Sequence, residues 1–438
     1  MSDLPAISAN RRRAILGMLC VIYALNYIDR QIIVILQEPI KADFQLKDWH
    51  LGLLTGGAFA VVYAAMGVPI AHWVDRGARR TRLIALMLLL WSVMTVLCGM
   101  ARGYGQFVLA RMGVGVAEAG FSPTSHALIS DLYSAVERPR ALGVFAAGVP
   151  IGIMAGLAIG GLLAEWVSWR FALLVVGLPG ILAALIFLHV AREPKRGGAD
   201  PGHDMLSPSG SQISLVKAMG HLAKRRAFLH VIVGTAVTAL VQLAIMAWLP
   251  SFILRTYDMT LSQVGVGVGL VAGIGGIAGA LLGGWQGSYF GRSGMHRMLF
   301  LPIIGLALCI PCYFAVLHAP SGYAALWLLL PPTILSGLWA APAIALTQNL
   351  APVALRARAS ALRAVASNLV GLALGPLLTG VLSDRFAASS GSAASGLKNA
   401  LIIMVLLFVW AIFHWSLAIL ALRREDADYG TNLAPRLP

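Results

Sequence analysis

Charged residues are scarce in this sequence. Asp, Glu, Lys and Arg make up only 12% of its 438 residues, whereas 58% are hydrophobic. No soluble protein needs that much apolar material to fill a core of this size. The composition therefore excludes a soluble globular protein and indicates that lipid is the main solvent of the chain.

The sequence also lacks the residue clusters of disulfide scaffolds, metal centres and hydrolases. Its four cysteines all fall inside predicted membrane spans, where neither the setting nor the spacing suits a disulfide or a zinc site. No Gly-x-Ser-x-Gly elbow, paired His, Asp or Glu metal set, or phosphate-binding glycine loop is present. We therefore predict that the protein is not an enzyme, with a lipid-acting membrane enzyme as the remote alternative.

Apolar stretches long enough to cross a bilayer recur along almost the whole chain. A hydrocarbon core of about 30 Å takes roughly 20 helical residues to cross. The pattern predicts an all-α integral membrane fold of twelve transmembrane helices in two pseudo-symmetric six-helix bundles. The predicted spans lie near 14–37, 50–73, 82–101, 104–133, 137–164, 169–190, 226–254, 261–289, 297–318, 323–350, 358–386 and 397–422.

One long loop, rich in Gly, Pro and Ser, divides these spans six and six. Its second part, from Ile213 to Arg226, is predicted to form a short amphipathic helix on the membrane surface, with a plain solvated tether as the alternative. The predicted layout is a tail, an N-terminal bundle, this linker, a C-terminal bundle and a second tail, with bounds 1–13, 14–190, 191–225, 226–422 and 423–438.

The basic residues predict the orientation in the membrane. The formal net charge is +15, but Lys and Arg concentrate in alternate loops, as they do on the cytoplasmic side of membrane proteins. Both termini and the linker are therefore predicted to be cytoplasmic, in a multi-pass protein of the cell membrane. Anionic membrane lipids account for the basic surface, so no nucleic-acid partner is expected.

Glycines recur at every fourth position in spans 5 and 8, from Gly148 to Gly160 and from Gly275 to Gly291. This spacing lets helix backbones approach closely in lipid. Spans 2 and 11 carry similar stripes of small residues. Such repetition between the halves predicts a duplicated transporter with sliding helix interfaces.

A loop motif occurs in both halves. Between spans 2 and 3 it reads GVPIAHWVDRGARR, from Gly67 to Arg80, and its second copy reads GWQGSYFGR from Gly284. The motif resembles the signature of the major facilitator superfamily, with alanine in place of glycine at Ala71 and Ala78. In that family it latches the cytoplasmic side of the outward-open state. The resemblance implies a gating cluster of Asp75, Arg76, Arg79, Arg80, Asp131 and Glu137.

Two further motifs narrow the resemblance. The sequence NYIDR, from Asn26 to Arg30 in span 1, and GVAEAGFSP, from Gly115 to Pro123 in span 4, are most similar to the Spinster family. Its animal members export sphingosine phosphate and lysolipids. The related anion:cation symporters share the Asp-Arg pair of span 1, so the resemblance implies alternating access with either class of substrate.

Four ionisable residues lie within the spans of the first half, namely Asp29, Arg30, Arg111 and Glu118. Charges inside a membrane are costly and are usually functional. At 1.5 Å per residue, Asp29 and Arg30 lie roughly 22 Å along span 1, at the same depth as Arg111. Arg111 and Glu118 are about two helical turns apart and share a face of span 4. We hypothesise that Asp29 pairs with a neighbouring arginine.

These charges predict a binding site. Arg30 and Arg111 are predicted to bind an anionic headgroup, assisted by Asn26 and Tyr27. Either carboxylate, that of Asp29 or of Glu118, is predicted to carry a proton, because a carboxyl group in a dry cavity holds a proton more readily than one in water. The alternative is a closed ion-pair network that only holds spans 1 and 4 together.

The second half has no comparable charges, and its predicted substrate contacts, Thr235, Gln242 and Trp339, lie among many apolar residues. A charged wall opposite an apolar wall suits a lipid with a polar head and a hydrocarbon tail. We therefore predict a monomeric, proton-coupled secondary transporter of lysophospholipids or sphingosine phosphate, with no cofactor beyond the proton gradient. The alternative, a proton-coupled symporter of small organic anions, would need more polar and basic residues in the second half.

Overall fold

The structure, a computed structural model, describes residues 8–194, 220, 222, 224–352 and 355–433. The chain divides into two compact units. Unit 1 comprises Met1–Ser207 and Leu249–Gly273, and unit 2 comprises Pro208–Trp248 and Ile274–Pro438. Most of the predicted amphipathic helix of the linker, residues 213–219, 221 and 223, lies outside the described residues, so this helix stays a prediction.

The first helices of the chain belong to unit 1. They are α1 (Ala9–Ile35), α2 (Gln37–Phe44), α3 (Asp48–Gly52), α4 (Ala58–Asp75), α5 (Arg80–Met100), α6 (Tyr104–Glu118), α7 (Phe121–Leu132), α8 (Arg138–Ala146), α9 (Gly148–Trp166) and α10 (Trp169–Val190). A π-helical segment, Leu53–Gly57, joins α3 to α4. The second span is therefore wound more loosely near its start.

The later helices are α11 (Arg226–Thr256), α12 (Leu261–Gly291), α13 (Phe300–Leu317), α14 (Gly322–Ser336), α15 (Ala340–Asn349), α16 (Arg356–Ala366), α17 (Gly375–Ser390) and α18 (Ala393–Leu433). A second π-helical segment, Ser367–Leu374, joins α16 to α17. The α11 and α12 helices each have residues in both units.

Eleven helical segments of the described chain are long and apolar enough to cross a membrane. They cover the predicted spans except the fourth, near 104–133, which is formed by α6 and α7 together. The two residues between these helices keep right-handed helical dihedrals, with φ −56° and ψ −32° at Ala119 and φ −96° and ψ −8° at Gly120. The fourth span is therefore a helix with a local irregularity just after Glu118, and the twelve-helix prediction is confirmed.

The glycine stripe of α9 packs against α1. A Cβ atom at Gly156 would lie 2.9 Å from the Cα atom and the carbonyl oxygen of Ile28, too close for any residue but glycine. Gly275 of α12 makes a similar approach to Thr333 of α14, at 2.8 Å. The close helix packing expected of these stripes is confirmed, and the sliding of these interfaces stays a prediction.

The segment Leu249–Gly273 packs within unit 1, and the predicted bounds of the two bundles stay a prediction. Gly265 lies directly against the backbone of Leu157 on α9. At the start of α12, the Ser262 N–H donates to Glu165 Oε2 at 2.8 Å. These contacts involve backbone atoms, so no pattern of hydrophobic residues reveals them.

Candidate functional site

The α1 helix carries the first polar residues of the site within an apolar stripe. Its buried positions include Ile15, Leu19, Ile22, Asn26 and Asp29. A spacing of three or four residues places all of them on one helix face. Because the apolar members determine which face turns inward, the two polar side chains are carried into the interior with them.

Arg30 and Glu118 form an ion pair between α1 and α6. Arg30 Nε donates to Glu118 Oε2 at 2.7 Å, and the Glu118 side chain is fully buried while that of Arg30 is 20% exposed. The Arg30 guanidinium also lies 5.3 Å from the ring centre of Tyr27, 4.8 Å from that of Phe59 and 4.9 Å from that of Tyr63. A carboxylate and three aromatic rings therefore stabilise this cation.

Asp29 pairs with Arg111, one of the two arginines that the sequence places at its depth. Arg111 Nη1 lies 3.4 Å from Asp29 Oδ1, and the Thr95 hydroxyl donates to Asp29 Oδ2. The side chains of Arg111 and Asp29 are only 2% and 4% exposed. Both oxygens of Asp29 thus have partners, which is typical of a structural ion pair. Arg111 Nε, however, makes no hydrogen bond with the described residues.

A small cavity of about 50 Å³ opens beside Arg30. Two buried atoms of its lining, Asn26 Nδ2 and Glu118 Oε1, make no hydrogen bond with the described residues. Buried polar atoms are nearly always paired with protein, water or a ligand, so these two mark a position for a polar group. The cavity is lined by Tyr23, Asn26, Tyr27, Arg30, Tyr63, Glu118, Phe121 and Ser122.

The four predicted charges therefore form two pairs with different surroundings. The Arg30 pair lines the cavity with its predicted neighbours on α1, whereas the Asp29 pair lies outside the described lining. Phe59 and Tyr63 were not predicted, although their spacing of four residues places them on one face of span 2. Thr95 was not predicted either, and the sequence offers no signal for it.

The predicted substrate contacts of the second half lie within unit 2. Gln242 Nε2 donates to the carbonyl oxygen of Ser336, and the Trp339 ring lies 6.4 Å from that of Trp415. Thr235 is fully buried, and its hydroxyl makes no hydrogen bond with the described residues. Gln242 and Trp339 thus contribute to helix packing, while the Thr235 hydroxyl has no partner in the described part of the chain.

Arg80 makes the predicted gating contact at the end of α7. It pairs with Asp131 and also with Glu193 Oε1, at 2.9 Å, a partner that the sequence analysis did not predict. Glu193 further accepts hydrogen bonds from the N–H and the hydroxyl of Thr81, at 2.9 and 2.8 Å. Burial opposes ionisation of Glu193, but these hydrogen bonds outweigh it and lower the pKa of the carboxyl group.

The role of Glu137 in gating stays a prediction. In the described structure its carboxylate lies 3.7 Å from Arg12 of α1, a cation outside the motif. Arg76 and Arg79 are exposed, where water solvates them. The side chain of Asp75 lies outside the described part of the chain, and its role stays a prediction.

A second charged cluster, missed by the sequence analysis, joins α11 to α2 and α3 within unit 1. Arg255 donates to Asp48 Oδ2 at 2.7 Å and to Glu38 Oε1 at 3.0 Å. Lys41 Nζ lies 2.5 Å from Asp48 Oδ1. These four residues, here called the Arg255 cluster, include two almost fully buried side chains, Arg255 at 8% and Asp48 at 2% exposed. The two are 207 residues apart in the sequence, so no local pattern connects them.

Comparisons with known proteins extend over both halves of the chain. The sequence profile described as "Major Facilitator Superfamily" matches residues 19–376. The chain is 30% identical over 405 residues to a protein of Mycolicibacterium smegmatis named "MFS-type efflux pump", with 92% of each chain covered. It is 28% identical over 403 residues to the human "Protein spinster homolog 1", covering 88% of this chain and 75% of the human protein.

A solved structure shows the same similarity. It is described as a bacterial homolog to the human lysosomal transporter Spinster, in an inward-facing and unoccupied conformation. The TM-score is 0.88 at 28% sequence identity, over 95% of this chain and 99% of that chain. The predicted resemblance in sequence is therefore matched by a resemblance in structure.

Proposed function

Because the chain belongs to the major facilitator superfamily and is a multi-pass membrane transporter of the Spinster type, we propose that it carries lipids of the lysophospholipid or sphingosine-phosphate type. Transport proceeds by alternating access and is coupled to protons. One observation carries the proposal: the Arg30–Glu118 ion pair lines a cavity in which Glu118 Oε1 and Asn26 Nδ2 have no partner among the described residues.

Arg30 is the cation best placed for an anionic headgroup. Its side chain is 20% exposed, whereas that of Arg111 is 2% exposed. The aromatic rings around Arg30 exclude water, and ionic contacts are stronger where water is excluded. A phosphate that enters the cavity competes with the Glu118 carboxylate for the same guanidinium, because arginine binds both groups with similar geometry.

Protonation of Glu118 removes this competition. A neutral carboxylic acid pairs weakly with Arg30, so the guanidinium becomes available to the phosphate and the charge of the cavity stays balanced. Substrate and proton therefore bind together, and each raises the affinity for the other. Asp29 is less suited to carry the proton, because Arg111 and Thr95 contact both of its oxygens.

The size of the cavity and the composition of the second half bear on the substrate. About 50 Å³ holds roughly one or two water molecules, so a headgroup enters only when the site widens, as alternating access requires. The second half offers many apolar residues to a hydrocarbon tail and has few charges in its spans.

The relatives' names, transporter and efflux pump, support transport without catalysis. We place the monomer in the cell membrane with cytoplasmic termini.

Uptake into proteoliposomes with an imposed pH gradient tests the proposal. Lysophosphatidylglycerol with a long acyl chain is the probe, and glycerol 3-phosphate, which lacks the chain, is the comparison. Wild-type uptake of the lysolipid is expected to follow the gradient, Arg30→Gln to abolish uptake, and Glu118→Gln to remove the gradient dependence. The matched control is Asp258→Asn, at an exposed aspartate between α11 and α12, which is expected to behave as wild type.

Two results would count against the proposal. Equal uptake of both compounds would identify a small organic anion as the substrate. Gradient dependence that persists in both Glu118→Gln and Asp29→Asn would exclude these carboxylates as proton carriers.

A further inference from the structure

Basic side chains form a second pocket, of about 410 Å³, between α11 and α18 in unit 2. Its cations come from both helix ends: Lys224, Arg225, Arg226 and Arg424. Apolar side chains of α18, including Leu417 and Leu420, line the same pocket. None of these residues belongs to the transport site or to the gating contacts described above.

The pocket lies where two membrane spans reach the surface. Arg226 is the first residue of one apolar span and Arg424 is the last residue of another. Hydrogen bonding between His230 and His414, with 3.0 Å between their Nδ1 atoms, shows that the two helices run side by side. Because the two spans run in opposite directions, both cationic ends meet the same face of the membrane.

The lining combines two chemistries. Lys224, Arg226 and Arg424 are exposed, and the Arg225 guanidinium is held in place by a 2.6 Å hydrogen bond from Nη1 to the Leu350 carbonyl oxygen. Converging arginine and lysine side chains bind phosphate through charge-assisted hydrogen bonds. Leu420 is 50% exposed, so a phosphate bound by these cations would bring an attached acyl chain against an apolar surface.

We propose that this pocket binds the headgroup of an anionic glycerophospholipid of the surrounding membrane, of the phosphatidylglycerol class, as a resident lipid and not as cargo. Basic pockets between transmembrane helices are suited to such headgroups. A soluble phosphorylated ligand would match the cations but leave the apolar half of the pocket without a partner. The bound lipid links the start of α11 to the part of α18 around Arg424.

Thermal unfolding of the purified full-length protein in detergent tests this site. Phosphatidylglycerol is expected to raise Tm, whereas phosphatidylcholine and inorganic phosphate are not. The variant Lys224→Gln/Arg226→Gln/Arg424→Gln should weaken the apparent affinity for phosphatidylglycerol on the order of a hundredfold, because each basic residue contributes to attraction of an anionic lipid. The matched control replaces three exposed arginines of the same unit that lie outside the pocket: Arg292→Gln/Arg297→Gln/Arg356→Gln.

The control variant is expected to respond to phosphatidylglycerol as wild type does. An unchanged response in the pocket variant, or an equal loss in both variants, would overturn the proposal. A Tm increase with inorganic phosphate alone would identify a free anion as the ligand and overturn the lipid assignment. Native mass spectrometry of the single variant Arg424→Gln, which leaves α11 unchanged, gives a second measure: it should retain less phosphatidylglycerol than Arg292→Gln, and equal retention would also refute the site.

Discussion

Removal of Arg255 measures how firmly α11 is held to α2 and α3. Arg255→Gln deletes hydrogen bonds of 2.7–3.0 Å to two carboxylates, and loss of one partner of a buried ion pair costs about 3–5 kcal/mol. Asp48 keeps Lys41 at 2.5 Å, and Glu38 is 24% exposed. We therefore expect a smaller cost, about 2–3 kcal/mol, which makes separation of the segment about 30 to 150 times more frequent.

Ser251 reports on this separation. It is 1% exposed, lies one helical turn before Arg255, and donates to Gln37 Oε1 at 2.9 Å. A cysteine at Ser251 should react with a soluble maleimide only when the segment separates from α2 and α3. Addition of Arg255→Gln to Ser251→Cys should raise its labelling rate about 30- to 150-fold, measured against the background from the four native cysteines.

The matched control is Arg170→Gln, which removes an ion pair with Asp43 whose side chains are 37% and 38% exposed. Such surface pairs contribute about 0–1 kcal/mol, so the labelling rate at Ser251 should rise less than about fivefold. Equal rates in the Arg255→Gln and Arg170→Gln backgrounds would refute the conclusion that the Arg255 cluster holds this contact.

Helix packing and acid sensitivity give two further tests. Gly156→Ala should destabilise the protein by about 1–3 kcal/mol, because its Cβ would lie 2.9 Å from backbone atoms of Ile28. A Cβ atom at Gly143 has no neighbour within 4 Å, so Gly143→Ala should be neutral or stabilise the protein by up to about 1 kcal/mol. Equal shifts of Tm in the two variants would contradict the close packing of α9 on α1. Glu193, whose pKa is lowered from its usual 4.5, stabilises the folded protein above that value, and this contribution is lost as pH falls through the lower folded pKa. In Glu193→Gln the free energy of unfolding should therefore depend less on pH below 4.5. If denaturation curves give the same pH dependence for the variant and the wild type, the Arg80–Glu193 contact is excluded.

The membrane spans could be predicted because length and apolar composition are local properties of the chain. The irregularity after Glu118 could not, since it depends on neighbours from other helices. A Cβ atom at Gly120 would lie 2.9 Å from the sulfur of Met87 on α5, so the backbone there fits against a side chain that is distant in sequence. Helical periodicity carries no information about such a neighbour.

The charged residues of the site could be predicted because ionised groups are rare within spans. Their pairing was only partly predictable. Asp29 and Arg30 are adjacent, so their side chains point about 100° apart around α1 and meet different partners. Equal depth made Arg111 one of two candidate partners of Asp29, but the contact of Arg30 with Glu118 depends on how α6 is rotated. The Arg80–Glu193 contact joins residues 113 positions apart, and only the packed structure brings them together.

Arg30 is proposed to exchange the Glu118 carboxylate for the phosphate of the substrate, and proton uptake during binding measures this exchange. The probe is lysophosphatidylglycerol, whose phosphodiester stays ionised near neutral pH, added to purified protein in weak buffer. Wild type should take up protons as it binds, with an affinity that falls as pH rises, and Glu118→Gln should bind with no proton uptake and with the same affinity throughout. Proton uptake that persists unchanged in Glu118→Gln would contradict the exchange.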